Sequence, residues 1–303
     1  MARIFYDKAP VEIQVGNYRE TLIATDCSIN FNNSQAPIYS VGKKGPIGQF
    51  PSAARAGDIS FNFLTTITGN FDAIVGVGTA TQGNIINYLA DHVKNSADSE
   101  ASGVVVKCAG VSGIGFLNSY SFNTTANSIS SSSAAFTLFG SGTELPVSGR
   151  LSGISAGVGI GGTEASTVTT GIAHGRFTTM PPNLRTSIYD GTAAPKTQTA
   201  TIYSADYSIS FNHTPIYKIG QEFPTTTFYT NASESLNVSE DLFNSGLKFD
   251  ESSTDYTLEL KGLAGASSAP MYVFINEAKQ ISTSASVGLD DIIRTQKSLT
   301  AVY

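Results

Sequence analysis

One twelve-residue passage occurs twice in this chain. Residues 21–32 read TLIATDCSINFN and residues 201–212 read TIYSADYSISFN, with Thr, Asp, Ser, Ile, Phe and Asn identical at matching places. Pro37-Ile38-Tyr39-Ser40-Val41-Gly42 then finds its match in Pro215-Ile216-Tyr217-Lys218-Ile219-Gly220, and Phe50-Pro51 in Phe223-Pro224. Upstream, Ile4-Phe5-Tyr6-Asp7 is similar to Ser187-Ile188-Tyr189-Asp190, and further on Val104-Val105-Val106-Lys107 follows the pattern of residues 257–261. Both copies end on two strand-like runs, 118–140 and 282–303. A repeat kept in order constrains a fold more than any short motif, because each copy must form the same unit. The 303 residues are enough for two such units, each with its own core.

The repeated unit reads as β. Cys27, Ile29 and Phe31 alternate with Ser28 and Asn30, and Tyr207, Ile209 and Phe211 alternate with Ser208 and Ser210. That period of two puts apolar side chains on one face of a strand and small polar ones on the other. Ile59, Phe61 and Phe63, then Tyr120 and Phe122, then Tyr256, Leu258 and Leu260 repeat it. Half-buried antiparallel strands of this kind pack face to face as a sandwich. One helix is expected, with Ile85, Ile86, Leu89 and Val93 on a single face, Gly83-Asn84 at its start and Lys94 near its end. The second copy has no room for it between Asn237 and Tyr256. The organisation expected is a β domain over 1–140, a Gly/Ser-rich connector over 141–186 and a second β domain over 187–303. Glycines 153, 157, 159, 161 and 162 disfavour regular structure in the connector, whose length suggests that it lies on a neighbouring subunit.

Charge is sparse. Asp, Glu, Lys and Arg make up 14% of the chain, against roughly 25% in an average globular protein. An exterior of Ser, Thr, Asn and Gly is cheap to desolvate, which suits a subunit that other protein covers. The formal charge of −6 argues against a protein that grips nucleic acid by its phosphates. No apolar run approaches the roughly 20 residues of a membrane span, and no signal peptide is visible. Cys27 and Cys108 are too few for a disulfide-stapled scaffold or a cysteine-rich zinc module. Because Tyr207 replaces Cys27 in the second copy, that position is read as needing bulk and not a thiol.

Signs of chemistry are few. Gly153-Ile154-Ser155-Ala156-Gly157 matches a nucleophile elbow, but Val-Gly-Ile-Gly-Gly follows it where the elbow requires a helix. His92, His174 and His213 are too scattered for a zinc site. Gly76-Val77-Gly78 and Gly113-Ile114-Gly115 lack the third glycine of a dinucleotide fingerprint. Asp26 and Asp206 occupy the same place in the repeat, so they are read as a shared turn or edge and not as a catalytic pair. No catalytic, metal or cofactor site is expected, and an enzyme is the least favoured class.

The two copies of Ser-Ile-Asn/Ser-Phe-Asn with Pro-Ile-Tyr-x-Val/Ile-Gly, and the closing run Tyr120-Ser121-Phe122-Asn123 through Ala135-Phe136-Thr137-Leu138-Phe139-Gly140, resemble the tail tube proteins of tailed bacteriophages. The resemblance covers about two thirds of the chain. It implies two tandem tail-tube-like antiparallel β-sandwich domains, one short helix in the first, whose strands join side by side around a hollow tube. Six modules per ring is the family's common arrangement, so a duplicated chain implies three subunits per ring. The expected role is a structural virion protein, assembled in the host cytoplasm, that stacks as rings and conducts DNA without binding it. Its partners would be copies of itself and the tail sheath, baseplate and tape-measure proteins. A neck or baseplate ring of the same fold is an alternative, and a surface adhesin or pilus-like module a more distant one. Each copy carries an irregular stretch after Pro-Ile-Tyr, 42–57 and 220–235. These are expected either to touch the next ring, through Lys43, Lys44, Phe50, Arg55, Phe223 and Phe228, or to be plain hairpin loops.

Overall fold

The computed structural model describes residues 11–15, 18–22, 24–32, 35–51, 56–68, 84–95, 103–108, 111–125, 130–139, 148–149, 166–167, 170–172, 187–190, 198–219, 224–241, 254–260, 271–286 and 294–303. They form a mainly β protein. The first module holds β1 (Val11–Val15), β2 (Tyr18–Leu22), β3 (Ala24–Asn32), β4 (Gln35–Tyr39), β5 (Pro46–Pro51), β6 (Ala56–Leu64), β7 (Thr66–Thr68), α1 (Ile85–Asn95), β8 (Val104–Cys108), β9 (Val111–Thr125) and β10 (Ser131–Leu138). Three short strands follow, β11 (Ser148–Gly149), β12 (Ser166–Thr167) and β13 (Thr170–Ile172). The second module holds β14 (Ser187–Asp190), β15 (Gln198–Ile216), β16 (Thr226–Asp241), β17 (Thr254–Leu260), β18 (Met271–Ser286) and β19 (Arg294–Val302).

The duplication read from sequence extends to the hydrogen-bond ladder. In the first module the antiparallel path runs β2-β1-β8-β9-β10-β6-β3. In the second it runs β15-β14-β17-β18-β19-β16-β15, all antiparallel, beginning on the first part of β15 and returning to its later part. Strands β2 and β3 together are therefore the counterpart of the single long β15. In these ladders β14 takes the place of β1; residues 4–7, matched to it in sequence, lie outside the described residues.

Each module folds over because one long strand serves both of its sheets. Residues 111–115 of β9 pair with β8, and residues 115–123 pair with β10. Gly115 sits at that crossing, where a Cβ would lie 2.9 Å from Val106 and 3.1 Å from Phe136. Inward-facing Ile59, Phe61, Phe63, Phe136 and Leu138 are buried, while Asp58, Ser60 and Asn62, alternating with them along β6, face outward. Cys27 and Cys108 are disulfide-bonded and tie β3 to β8. The thiol at position 27 thus has a partner in the first module, and the reading of that position as bulk alone fits only Tyr207.

Helix α1 forms where the periodicity placed it. Asn84 is its N-cap: its side-chain oxygen accepts from the N–H groups of Ile86 at 3.1 Å and Asn87 at 2.8 Å. Buried Glu20 of β2 accepts the N–H of Ile85 at 2.7 Å, so a carboxylate also faces the positive end of the helix. Residues 242–253, where the second copy has no space for a helix, lie outside the described residues. The described stretches of the connector pair with the chain's own first module, β11 with β9, β12 with β2 and β13 with β7. In those stretches the expectation of contact with a neighbour gives way to pairing within the chain.

Candidate assembly surface

The modules do not hang apart on a linker. Strand β9 closes one sheet of the first module and β15 opens the matching sheet of the second, and the two pair antiparallel from Ser204 opposite Thr125 to Ser210 opposite Ser119. The result is a continuous path of eight strands, β3-β6-β10-β9-β15-β16-β19-β18. Its inward face is one hydrophobic core shared by both modules. At the seam, Tyr207 stacks on Phe122 with ring centroids 5.2 Å apart and meets Tyr120 edge-on at 6.2 Å.

The other face of the path is paved with short polar side chains that bond to one another. Ser28 pairs with Ser60 at 2.7 Å, Ser121 with Ser133 at 2.7 Å and Ser208 with Ser235 at 2.8 Å. Asn62 donates to both oxygens of Asp26, and Asn123 donates to Asp206 across the seam. Asp26 and Asp206 therefore sit in mid-strand; Asp26 lies on an edge strand, but neither residue is in a turn. A shallow depression of about 360 Å³ opens on this face at the seam, lined by Asn62, Asn123, Asp206, Ser208 and Asn237 among others. Among the described residues no three His, Cys, Asp or Glu side chains gather as a metal site. Nor is any described helix long and apolar enough to cross a membrane. His92 stacks on Tyr88 at 6.1 Å, whereas Ser155 and His174 lie outside the described residues.

The buried polar groups on the inward side include one charged cluster at the seam. Glu234 of β16 is 0% exposed. It accepts from Lys94 Nζ at 3.3 Å and from the hydroxyls of Tyr207 and Tyr303. Burial, and then the charge of Glu234, push the Tyr207 hydroxyl far above its ordinary pKa, so it stays a donor. His213 of β15 reaches back to the first module, its Nε2 donating to the Leu117 carbonyl at 2.6 Å.

Two hairpins carry the irregular stretches singled out in the sequence. Strands β4 and β5 form a separate two-stranded sheet, turning through Gly42 and Gly45 at φ 87° and 96°. Lys43 and Lys44 lie exposed in that turn and Phe50 stands 53% exposed on β5. Val41 is fully exposed, with Ile38, Tyr39 and Ile47 also open to solvent. The ends of β15 and β16 form the corresponding hairpin, where half-buried Phe228 stands opposite Thr214 and Ile216, Tyr217 and Ile219 are exposed. Lys43, Lys44 and Phe50 thus share one hairpin and Phe228 lies on its counterpart. Arg55 and Phe223 lie outside the described residues. Sequence reasoning passed over the exposed Val41 and Ile219 at the hairpin turns. It also passed over the Lys94–Glu234 contact, whose one local sign is an acid in the inward register of Ala232, Leu236 and Val238. No protein-family model matches the chain, and no curated protein matches it.

Proposed function

We propose that the chain is a structural subunit that joins copies of itself side by side into closed rings. The rings stack into the tail tube of a tailed bacteriophage, through which DNA leaves the virion. The observation that carries this reading is the eight-strand path, which crosses both modules without a break and ends, among the described residues, on two edges paired on one side only, β3 and the last part of β18. An open edge invites another strand, and closure into a ring removes it. Three chains would supply six modules of four strands. About 24 strands spaced about 4.8 Å apart enclose a bore roughly 37 Å across, measured backbone to backbone.

The polar face suits the wall of such a bore. Its Ser and Asn side chains bond laterally to each other, and Asp26, Asp58 and Asp206 set a mildly acidic tone that repels phosphate. The apolar hairpins would meet the next ring along the axis, where burial rewards Val41, Phe50 and Ile219. Sheath, baseplate and tape-measure proteins would be the further partners.

Negative-stain microscopy of the purified protein tests the proposal. Long hollow tubes are the expected result. Isolated rings that never stack would move the assignment to a neck or baseplate ring, and a monomer at every concentration would overturn it.

A further inference from the structure

Strands β3 and β15 are one strand used twice, and only one of them is finished. Tyr207, Ile209 and Phe211 of β15 are 3%, 1% and 4% exposed, while their counterpart Phe31 is 45% exposed and Cys27 and Ile29 are half-buried. The difference is the neighbour: β15 has β9 along its outer side, whereas β3 pairs, among the described residues, with β6 alone. The opposite end of the path has the converse deficit. Residues 279–284 of β18 stand to β19 as residues 119–123 of β9 stand to β10, with Ile281 an extra residue at a register shift and Ser282 opposite Ser298 where Ser121 is opposite Ser133. That half of β18 pairs with no other described strand.

We infer that a second copy of this chain covers β3 with residues 279–286 of its β18, antiparallel and in the register of the seam already formed inside each chain. Ser28 then faces Ser282 as Ser208 faces Ser121, Asp26 faces Ser284 as Asp206 faces Asn123, and Asn30 faces Lys279 as Ser210 faces Ser119. The last pairing sets Lys279 one strand away from Asp58, which lies opposite Asn30. The contact is head to tail, so it leaves the same two edges on the next copy and closes only when the ring is complete.

The two kinds of seam differ in chemistry. Within the chain, Lys94 is met by Glu234, whose carboxylate also accepts from Tyr207 and Tyr303. The ladder matches these three to Ile59, Cys27 and Leu138 of the first module, none of which can accept from an ammonium. A first module is therefore a poor substitute for a second module beneath α1, because Lys94 would lose the buried carboxylate of Glu234 at 3.3 Å and keep only that of Asp91 at 3.7 Å. That mismatch favours alternation of first and second modules around the ring.

The inference rests on the ring reading, and the test separates the two. The full chain carrying Ser28→Cys and Ser282→Cys is assembled, oxidised and resolved without reductant, with Ser28→Cys and Ser284→Cys as the off-register control. Covalent multimers from the first pair, and a peptide joining positions 28 and 282, are expected. Rings that form while only the off-register pair links would overturn the register and leave the ring reading standing. Absence of any assembly in the unmodified protein would remove both. Phe31→Asp gives a second measurement: the position is 45% exposed in the free chain and, like its counterpart Phe211, buried in the seam, so a folded monomer with a melting temperature within a few degrees of the parent is expected. Normal rings from that variant would also overturn the inference.

Discussion

Lys94 Nζ lies 3.3 Å from Glu234 Oε1 across 140 residues of sequence, with the two side chains 2% and 0% exposed. Asp91 stands 3.7 Å from the same ammonium and the Tyr303 ring lies 5.4 Å beneath it. The helix of the first module is thereby anchored in the core of the second. Removing one partner strands a buried charge, so Lys94→Met is expected to destabilise the chain by about 3–5 kcal/mol in urea unfolding. Lys94→Met combined with Glu234→Gln should recover part of that loss, and a double-mutant cycle should return a coupling of about 2 kcal/mol or more. Both modules should unfold in one transition, which paired far- and near-ultraviolet dichroism would check.

His213 makes the module seam sensitive to acid. Burial lowers its pKa from 6.5, and the Leu117 carbonyl, by accepting from Nε2, opposes that shift in part. Its Nδ1 is buried and has no hydrogen-bond partner among the described residues, so a proton added there would face no acceptor among them. The group binds protons more readily unfolded than folded, so its contribution is present above pH 6.5 and is lost as the pH falls below that value. Thermal melts from pH 8 to pH 5 should show the wild type losing stability faster than His213→Gln. Equal slopes would mean that His213 carries no such linkage.

How much of this was legible beforehand follows from the range of each interaction. The strands with Phe61, Tyr120 or Tyr207 announced themselves by local alternation, and α1 by local periodicity and the Asn84 cap. The duplication was legible because two distant segments carry the same short text, even though only one copy keeps β2 and β3 separate. What stayed hidden is what depends on pairing between distant elements. Nothing near Glu234 names Lys94, nothing near Cys27 names Cys108, and the partly exposed state of Ile29 follows from β3 being an edge. Asp26 and Asp206 were read as belonging to a shared turn or edge because they recur at the same place in the repeat; the edge fits Asp26 alone, and the neighbouring Asn62 and Asn123 bond the two acids in their mid-strand places.

The Cys27–Cys108 bond joins the two sheets of the first module across 81 residues. Closing a loop of that size in the unfolded chain is worth about 4–5 kcal/mol on the chain-entropy account. The core is large enough to fold without it. Cys27→Val with Cys108→Val should therefore keep the β dichroism spectrum, lower the melting temperature and make it indifferent to reductant. A wild-type melting temperature that is also indifferent to reductant would remove the bond from the stability account.

The polar face should pass duplex DNA without holding it, and that can be reversed. Ser121 and Ser208 face each other on β9 and β15, and Ser60 lies on β6 one strand beyond β10, so Ser→Lys at all three sets new cations along the surface. Each neutralised phosphate releases a counterion, and the salt slope steepens by roughly 0.9 per contact. Filter binding should find no retention of duplex DNA by the wild type at physiological salt and clear, salt-sensitive retention by the triple variant. Tight binding by the wild type would contradict a bore that lets DNA slide.

On the proposed reading, ring closure and ring stacking would use different parts of the chain, so they should separate under mutation. The edges proposed to close the ring belong to the continuous sheet, whereas β4 and β5 form a two-stranded sheet of their own. Val41 and Phe50 on that hairpin are exposed in the single chain, so Val41→Asp with Phe50→Ser loses little stability, as surface changes generally do. In a stacked tube the same side chains would be buried, and a buried, unpaired carboxylate opposes assembly strongly. Deleting residues 43–54 should act in the same direction by removing the hairpin altogether. Both variants are expected to stay folded, with melting temperatures within a few degrees of the wild type, and to give single rings where the parent gives tubes. Tubes of normal length from either variant would show that the hairpin is an ordinary surface loop, and the axial contact would have to be sought on the second-module hairpin around Ile219.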